Sequence, residues 1–251
     1  MAPLYKAAAA FCLVGLSWLQ SGANASTKYK FEVAELDEDA YLTVKLVRNG
    51  KISSKTNGVE KDDQLATTLQ GKVESEHEDE QPTCASLITA EHKKIFYHTF
   101  DYEASPDYRK LFQEALKTGL DAIGTTYPTA WQDIWTKENA RNLLHLLGAS
   151  STKVGCVLAN CVKKDEPLPH AKSDPEAPTK SVLFCELAPP ATANDAAFSE
   201  EYFNELIARK DELKSMTEED LKDPIVTSSA DVAVPSILTA GLVAILAAIS
   251  A

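Results

Sequence analysis

The order of apolar patterns along this 251-residue chain predicts an α+β class, with an α/β/α layered arrangement as its variant. Three observations carry that expectation. Helix-period segments come first, and strand-like runs are interleaved late. Two of those runs, Lys153 to Val162 and Ser181 to Leu187, flank a proline-rich stretch as the arms of a hairpin do. The body of the chain holds an even number of cysteines, as a domain closed by two disulfides requires.

Leu36 to Arg48 reads as the first helix, because Ala40, Val44 and Val47 share a face and Asn49-Gly50 ends it. Asp62 to Val73 is a weaker helix, and Cys84 to His92 a short helical turn. Lys94 to Tyr102 (KIFYHTFDY) is aromatic-rich, as strands are. Ser105-Pro106 places a capping hydroxyl before a first-turn proline and starts a helix. Its buried stripe is Tyr108, Leu111, Phe112, Ala115, Leu116 and Gly119. Trp131 to Leu147 carries one further helix. The hairpin 153–187 contains a loop, Lys163 to Thr179, whose Pro167, Pro169, Pro175 and Pro178 place it at the surface. Asp195 to Leu213 is the last long helix, with Phe198, Tyr202, Phe203 and Leu206 inward. Thr217 to Lys222 is a small capped turn.

The ends of the chain have their own logic. Lys6 is followed by an apolar run from Ala7 to Leu19 and by Ala23-Asn24-Ala25, a small-residue cleavage site. A secretory signal over 1–25 is therefore expected, with cleavage between Ala25 and Ser26. The run is too short to cross about 30 Å of hydrocarbon comfortably. At the other end Ile237 to Ala251 is apolar and uncharged, with no basic stop after it. Small residues, Ser228-Ser229-Ala230, and a spacer precede it. That is the pattern of a glycosylphosphatidylinositol (GPI) attachment signal. Ser228 is the expected attachment residue and Ser229 the alternative. The expected organisation is a signal peptide at 1–25, one domain at 26–213, a stalk at 214–228 and a removed propeptide at 229–251.

Ser26 to Ser228 is roughly 200 residues, enough for one domain with a sizeable core. The formal net charge of −12 survives removal of both ends, which carry only Lys6 and Asp231. An acidic chain without a basic cluster is a poor match for nucleic acid or anionic headgroups. Cys12 leaves with the signal, so Cys84, Cys156, Cys161 and Cys185 remain, in an oxidising compartment. Cys156 and Cys161 share one strand-like segment. Five residues apart they face opposite ways, about 16 Å from each other, beyond the roughly 7 Å reach of a disulfide. Each therefore pairs with Cys84 or Cys185. The hairpin partner is the natural mate, so the expected bridges are Cys156–Cys185 and Cys84–Cys161. A non-reduced peptide map joining Cys84 to Cys185 would overturn this.

Candidate chemistry is sparse. The histidines are His77, His92, His98, His145 and His170, without the spacing of a helical zinc site. His98 lies among aromatics and His145 in the run LLHLL, and both read as packed histidines rather than catalytic bases. No nucleophile elbow or phosphate loop occurs. A cysteine nucleophile would need a free thiol, and all four are expected to be paired. No catalytic residue, metal or cofactor is assigned.

Several longer segments carry a resemblance. They are DEDAYLTVKLVRNGK (37–51), TCASLI (83–88), IFYHTFDYEASPDYRKLFQEAL (95–116), STKVGCVLANC (151–161), VLFCEL (182–187), FSEEYFNELIARKDEL (198–213) and MTEEDLK (216–222). In these the chain resembles the GPI-anchored surface antigens (SAG) of the apicomplexan parasite Eimeria. The resemblance implies display on the extracellular face of the cell membrane, with a role in host-cell attachment or in engaging host immunity. The implied partners are a host receptor or antibodies, and the membrane through the GPI lipid.

The hairpin also looks like the core of the CAP superfamily (cysteine-rich secretory proteins, antigen 5, pathogenesis-related 1), which implies an α-β-α sandwich. In that pattern the Gly-Cys cysteine pairs with one on the next strand, here Cys156 with Cys185. CAP proteins often place two histidines and two acidic residues in a groove. The position of one of them, on the helix before the Gly-Cys strand, falls here near Asn142, with His145 one turn away. No CAP metal or hydrolytic site is therefore carried over. Two other readings follow from the superfamily: a binder of a small apolar ligand such as a sterol or lipid, and a degenerate CAP-type hydrolase, which would need His98 beside acidic residues in a pocket.

Overall fold

The computed structural model describes residues 28–75, 83–164 and 177–222. The expected signal at 1–25, Ser228, Ser229, His77, His170 and all four loop prolines but Pro178 lie outside them. The elements run β1 (Lys28–Glu35), α1 (Glu38–Asn49), β2 (Glu60–Lys61), α2 (Asp63–Ser75), β3 (Phe96–Asp101), α3 (Tyr108–Ile123), α4 (Trp131–Thr136), α5 (Glu138–Leu147), β4 (Lys153–Lys164), β5 (Lys180–Ala188) and α6 (Glu200–Ala208). Short 3₁₀ turns stand at Ala85–Leu87, His92–Lys94, Leu213–Ser215 and Glu218–Leu221.

One sheet, in the order β1-β4-β5-β3, divides the molecule. These strands pair antiparallel, and β2 adds a short parallel contact to the start of β4. β4 and β5 are central and buried on both faces, which explains their unbroken apolar runs. Val154, Cys156, Leu158, Leu183 and Cys185 join a large core with residues of α1, α3, α4, α5 and α6. Val157, Ala159, Cys161, Val182 and Phe184 join a smaller one with Phe31 and with Leu69 and Val73 of α2. Helices thus cover both faces, and the α-β-α sandwich is the architecture observed. At Gly155 a side chain would overlap the backbone of Ala66, so α2 lies directly on β4.

β1 is an element the reading of the sequence missed. Tyr29, Phe31 and Val33 alternate with Lys30, Glu32 and Ala34, the period-two signal of a half-buried strand. β1 ends opposite Val157 and β2 begins opposite Lys153, which leaves a gap in the ladder. The Tyr41 hydroxyl fills it, donating to the Cys156 carbonyl at 3.3 Å and accepting its N–H at 3.2 Å.

The helices differ from expectation where long-range contacts act. α3 starts two residues later than Ser105-Pro106 predicts, because the Asp107 carboxylate accepts the Lys110 N–H and caps it. The expected helix 131–147 is two helices, broken at Lys137, which is extended. The break lets the Trp135 indole donate to the Asp195 carbonyl at 2.8 Å while α5 packs on α3. α6 is shorter than 195–213. Ser199 caps its start, and at its end Arg209 turns back to the carbonyls of Leu46, Val47 and Gly50, at the C-terminus of α1. Arg48, fully buried, does the same for α5 through Leu146 and Gly148.

Contacts with the body continue past residue 213. Met216 is 3% exposed, Arg109 donates to its carbonyl at 2.6 Å, and the Lys51 N–H donates to Asp220 at 2.8 Å. Met216 and Asp220 thus tie this segment to the body, while most of its other side chains stay exposed. Within the capped turn expected at 217–222, Thr217 and Asp220 form a capping box.

Candidate functional site

The two disulfides are built from the sheet outward. Cys156 and Cys185 stand directly opposite on β4 and β5, with Cα atoms 4.1 Å apart. Cys161, five residues along, faces the other side and meets Cys84 beside the 85–87 turn, Cα to Cα 5.8 Å. The strand's two-residue alternation puts one bridge in each core.

An apolar cleft with a few polar groups lies at one end of this hairpin. β3 begins at Phe96, opposite Cys185, but β5 continues to Ala188. Beyond Phe96 nothing pairs with β5 on that side among the described residues, and a cleft of about 430 Å³ opens there. Its walls are Leu69, His92, Ile95, His145, Leu187 and Pro190. Ion pairs close its rim: Lys72 with Glu186 at 2.8 Å, and Lys94 with Glu91 at 2.5 Å.

The histidines have separate surroundings. His145 projects from α5 with its ring edge-on to Trp135 at 5.3 Å. Burial, helped by the nearby positive Arg141, pushes its pKa down to about 4, so it is neutral at pH 7. Its Nε2 is buried with no hydrogen-bond partner among the described residues. His92 packs against Phe184 with the rings tilted at 45° and centroids 4.9 Å apart, and holds Nδ1 3.2 Å from the Thr89 N–H. His98, on β3, is pushed down by burial despite Glu114 at 3.7 Å. It does not line the cleft. Among the described residues no three His, Cys, Asp or Glu side chains come together as metal ligands would.

Asn142 has a structural task. Its side-chain oxygen accepts the Tyr97 N–H at 2.8 Å and its amide donates to the Tyr97 carbonyl at 2.6 Å. It stands in for a strand along the outer edge of β3. The arrangement at the cleft offers the neutral imidazole of His145 on apolar walls. That is the chemistry of a hydrogen bond to an otherwise apolar guest, not of an activated nucleophile.

No protein-family model matches the chain, and no curated protein matches it. Solved structures with a similar backbone include the Eimeria tenella surface antigen protein SAG19, at 19% identity, TM-score 0.43, 72% of this chain and 98% of that one. The hookworm platelet inhibitor follows at 13% identity, TM-score 0.41, 66% of this chain and 79% of the other. The protein MpPR-1i is similar at 16% identity, TM-score 0.36, 66% of this chain and 99% of the other. Among the described residues no helix is long and apolar enough to cross a membrane.

Proposed function

We propose that this protein is a non-enzymatic surface antigen, held on the outer face of the cell by a GPI anchor and acting in host-cell attachment or in modulating host immunity. The observation that carries the reading is the pairing of Ser228-Ser229-Ala230 and the apolar 237–251 tail with a body closed by two disulfides. Both call for the secretory route. The dispersed histidines supply no catalytic group in this reading, and the loops carry recognition. Phosphatidylinositol-specific phospholipase C should release the protein from intact cells. Retention on cells whose other GPI-linked proteins are released would sink the anchor. Labelled protein should then bind host epithelial cells saturably, and absence of such binding would count against attachment.

A second reading is favoured by the cleft beside His145: a binder of a small apolar ligand such as a sterol or lipid. Co-purification of lipid with the wild type, and its loss in a Leu187→Asp variant that still folds, would support it over display alone.

A further inference from the structure

β1 ends the sheet. Among the described residues no strand lies beyond it, and it pairs on one side only, with β4. Which of its backbone groups face outward follows from Tyr41. The hydroxyl of Tyr41 serves both backbone groups of Cys156 on the β1 side of β4. Backbone direction alternates along a strand, so Leu158, Asn160 and Val162 also face β1, opposite Ala34, Glu32 and Lys30. The main-chain groups of Tyr29 and Val33 therefore point away from the sheet.

The side chains along this edge have a pattern that answers itself. Lys30 and Glu32 lie on the solvent face, with side chains 45% and 59% exposed, and pair along the strand at 2.9 Å. Tyr29 and Val33 lie on the other face, half-buried against the smaller core.

We propose that β1 pairs antiparallel with β1 of a second copy about a two-fold axis, joining two sheets into one. Hydrogen bonding at the outward residues allows a register in which Tyr29 of one copy faces Val33 of the other. In that register Lys30 meets Glu32 of the second copy, twice by symmetry, as non-hydrogen-bonded neighbours whose side chains are closest. Each aromatic-aliphatic pair extends the smaller core across the axis. Exposed charges on an edge strand ordinarily discourage pairing. Here their opposite signs two residues apart turn the same charges into complementarity for an antiparallel self-partner, and for that register alone. An isologous contact of this kind closes after two copies. Eight residues per copy is a small contact, so the dimer is reversible and concentration-dependent.

The test is sedimentation equilibrium of the full chain, processed in cells and solubilised, with folding checked by circular dichroism. The wild type should show a monomer–dimer equilibrium. Lys30→Glu and Glu32→Lys each put like charges opposite one another and should weaken association roughly tenfold. Mixing the two variants should restore it, because each then faces its opposite. Val33→Pro removes an outward N–H without touching the ladder to β4 and should abolish pairing. A wild type that stays monomeric at every concentration overturns the proposal. So do charge variants that associate like the wild type, or a mixture that does not recover.

Discussion

Two arginines, Arg48 fully buried and Arg209 half-buried, hold helix ends in this fold through backbone carbonyls. Arg48 spends its guanidinium on the carbonyls of Leu146, Asn57 and Gly148, and Arg209 on those of Leu46, Val47 and Gly50. Each lowers the cost of leaving helix C-terminal carbonyls unbonded in a core. Tyr202 lies between them, its hydroxyl donating to the Arg48 carbonyl at 2.7 Å. His145 acts at the same scale in the opposite sense. Its pKa of about 4 in the fold lies below the 6.5 of an unrestrained imidazole, so the unfolded chain takes up the proton first. The stability it contributes is complete above pH 6.5 and is lost as pH falls toward 4, by about 3 kcal/mol. His98, also lowered by burial, adds in the same direction. Urea denaturation of His145→Gln should show a flatter dependence between pH 6.5 and 4 than the wild type. Equal slopes in the two proteins would remove His145 from the account.

At the scale of elements, the two ends of the sheet are managed differently. The β3 edge is covered by Asn142 of α5, and the Tyr97 hydroxyl adds a 2.6 Å bond to Glu138 one turn earlier. Asn142→Ala should leave the Tyr97 N–H and carbonyl without their partner and cost about 1–3 kcal/mol. Hydrogen exchange should then accelerate at Tyr97 and leave Phe184 in β5 protected. Unchanged protection at Tyr97 would show that another group covers the edge. The β1 edge carries alternating charge instead. Much of this level was legible in advance: the hairpin, the strand at 96–101 and the buried stripe of α3 all follow from periodicity. β1 carried an equally clear alternation in Tyr29, Phe31 and Val33, although its eight residues stand just after the expected cleavage site. The break at Lys137 was not legible, since neither glycine nor proline marks it and the bond it accompanies, from Trp135 to Asp195, spans sixty residues.

For the whole molecule the disulfides set the stability ranking. The Cys84–Cys161 bridge spans 77 residues and the Cys156–Cys185 bridge 29. Loop-closure entropy makes the longer bridge worth about 4–5 kcal/mol and the shorter about 3–4 kcal/mol. Replacing Cys84 and Cys161 together by alanine should therefore lower the urea midpoint more than replacing Cys156 and Cys185. The reverse order would mean that packing of the central hairpin outweighs chain entropy.

The sequence by itself excluded a Cys156–Cys161 bridge and placed those two cysteines on opposite faces of one strand. Both depend on a two-residue alternation that holds along a strand whatever lies around it. It also set the capping box at Thr217, a device complete within four residues. Only the tertiary structure decided where α4 ends, why Asn142 stands at its place in α5, and that β5 outruns β3 to open a cleft beside His145. Those outcomes rest on contacts between residues tens of positions apart, and local periodicity carries no record of which distant group will supply the missing hydrogen bond.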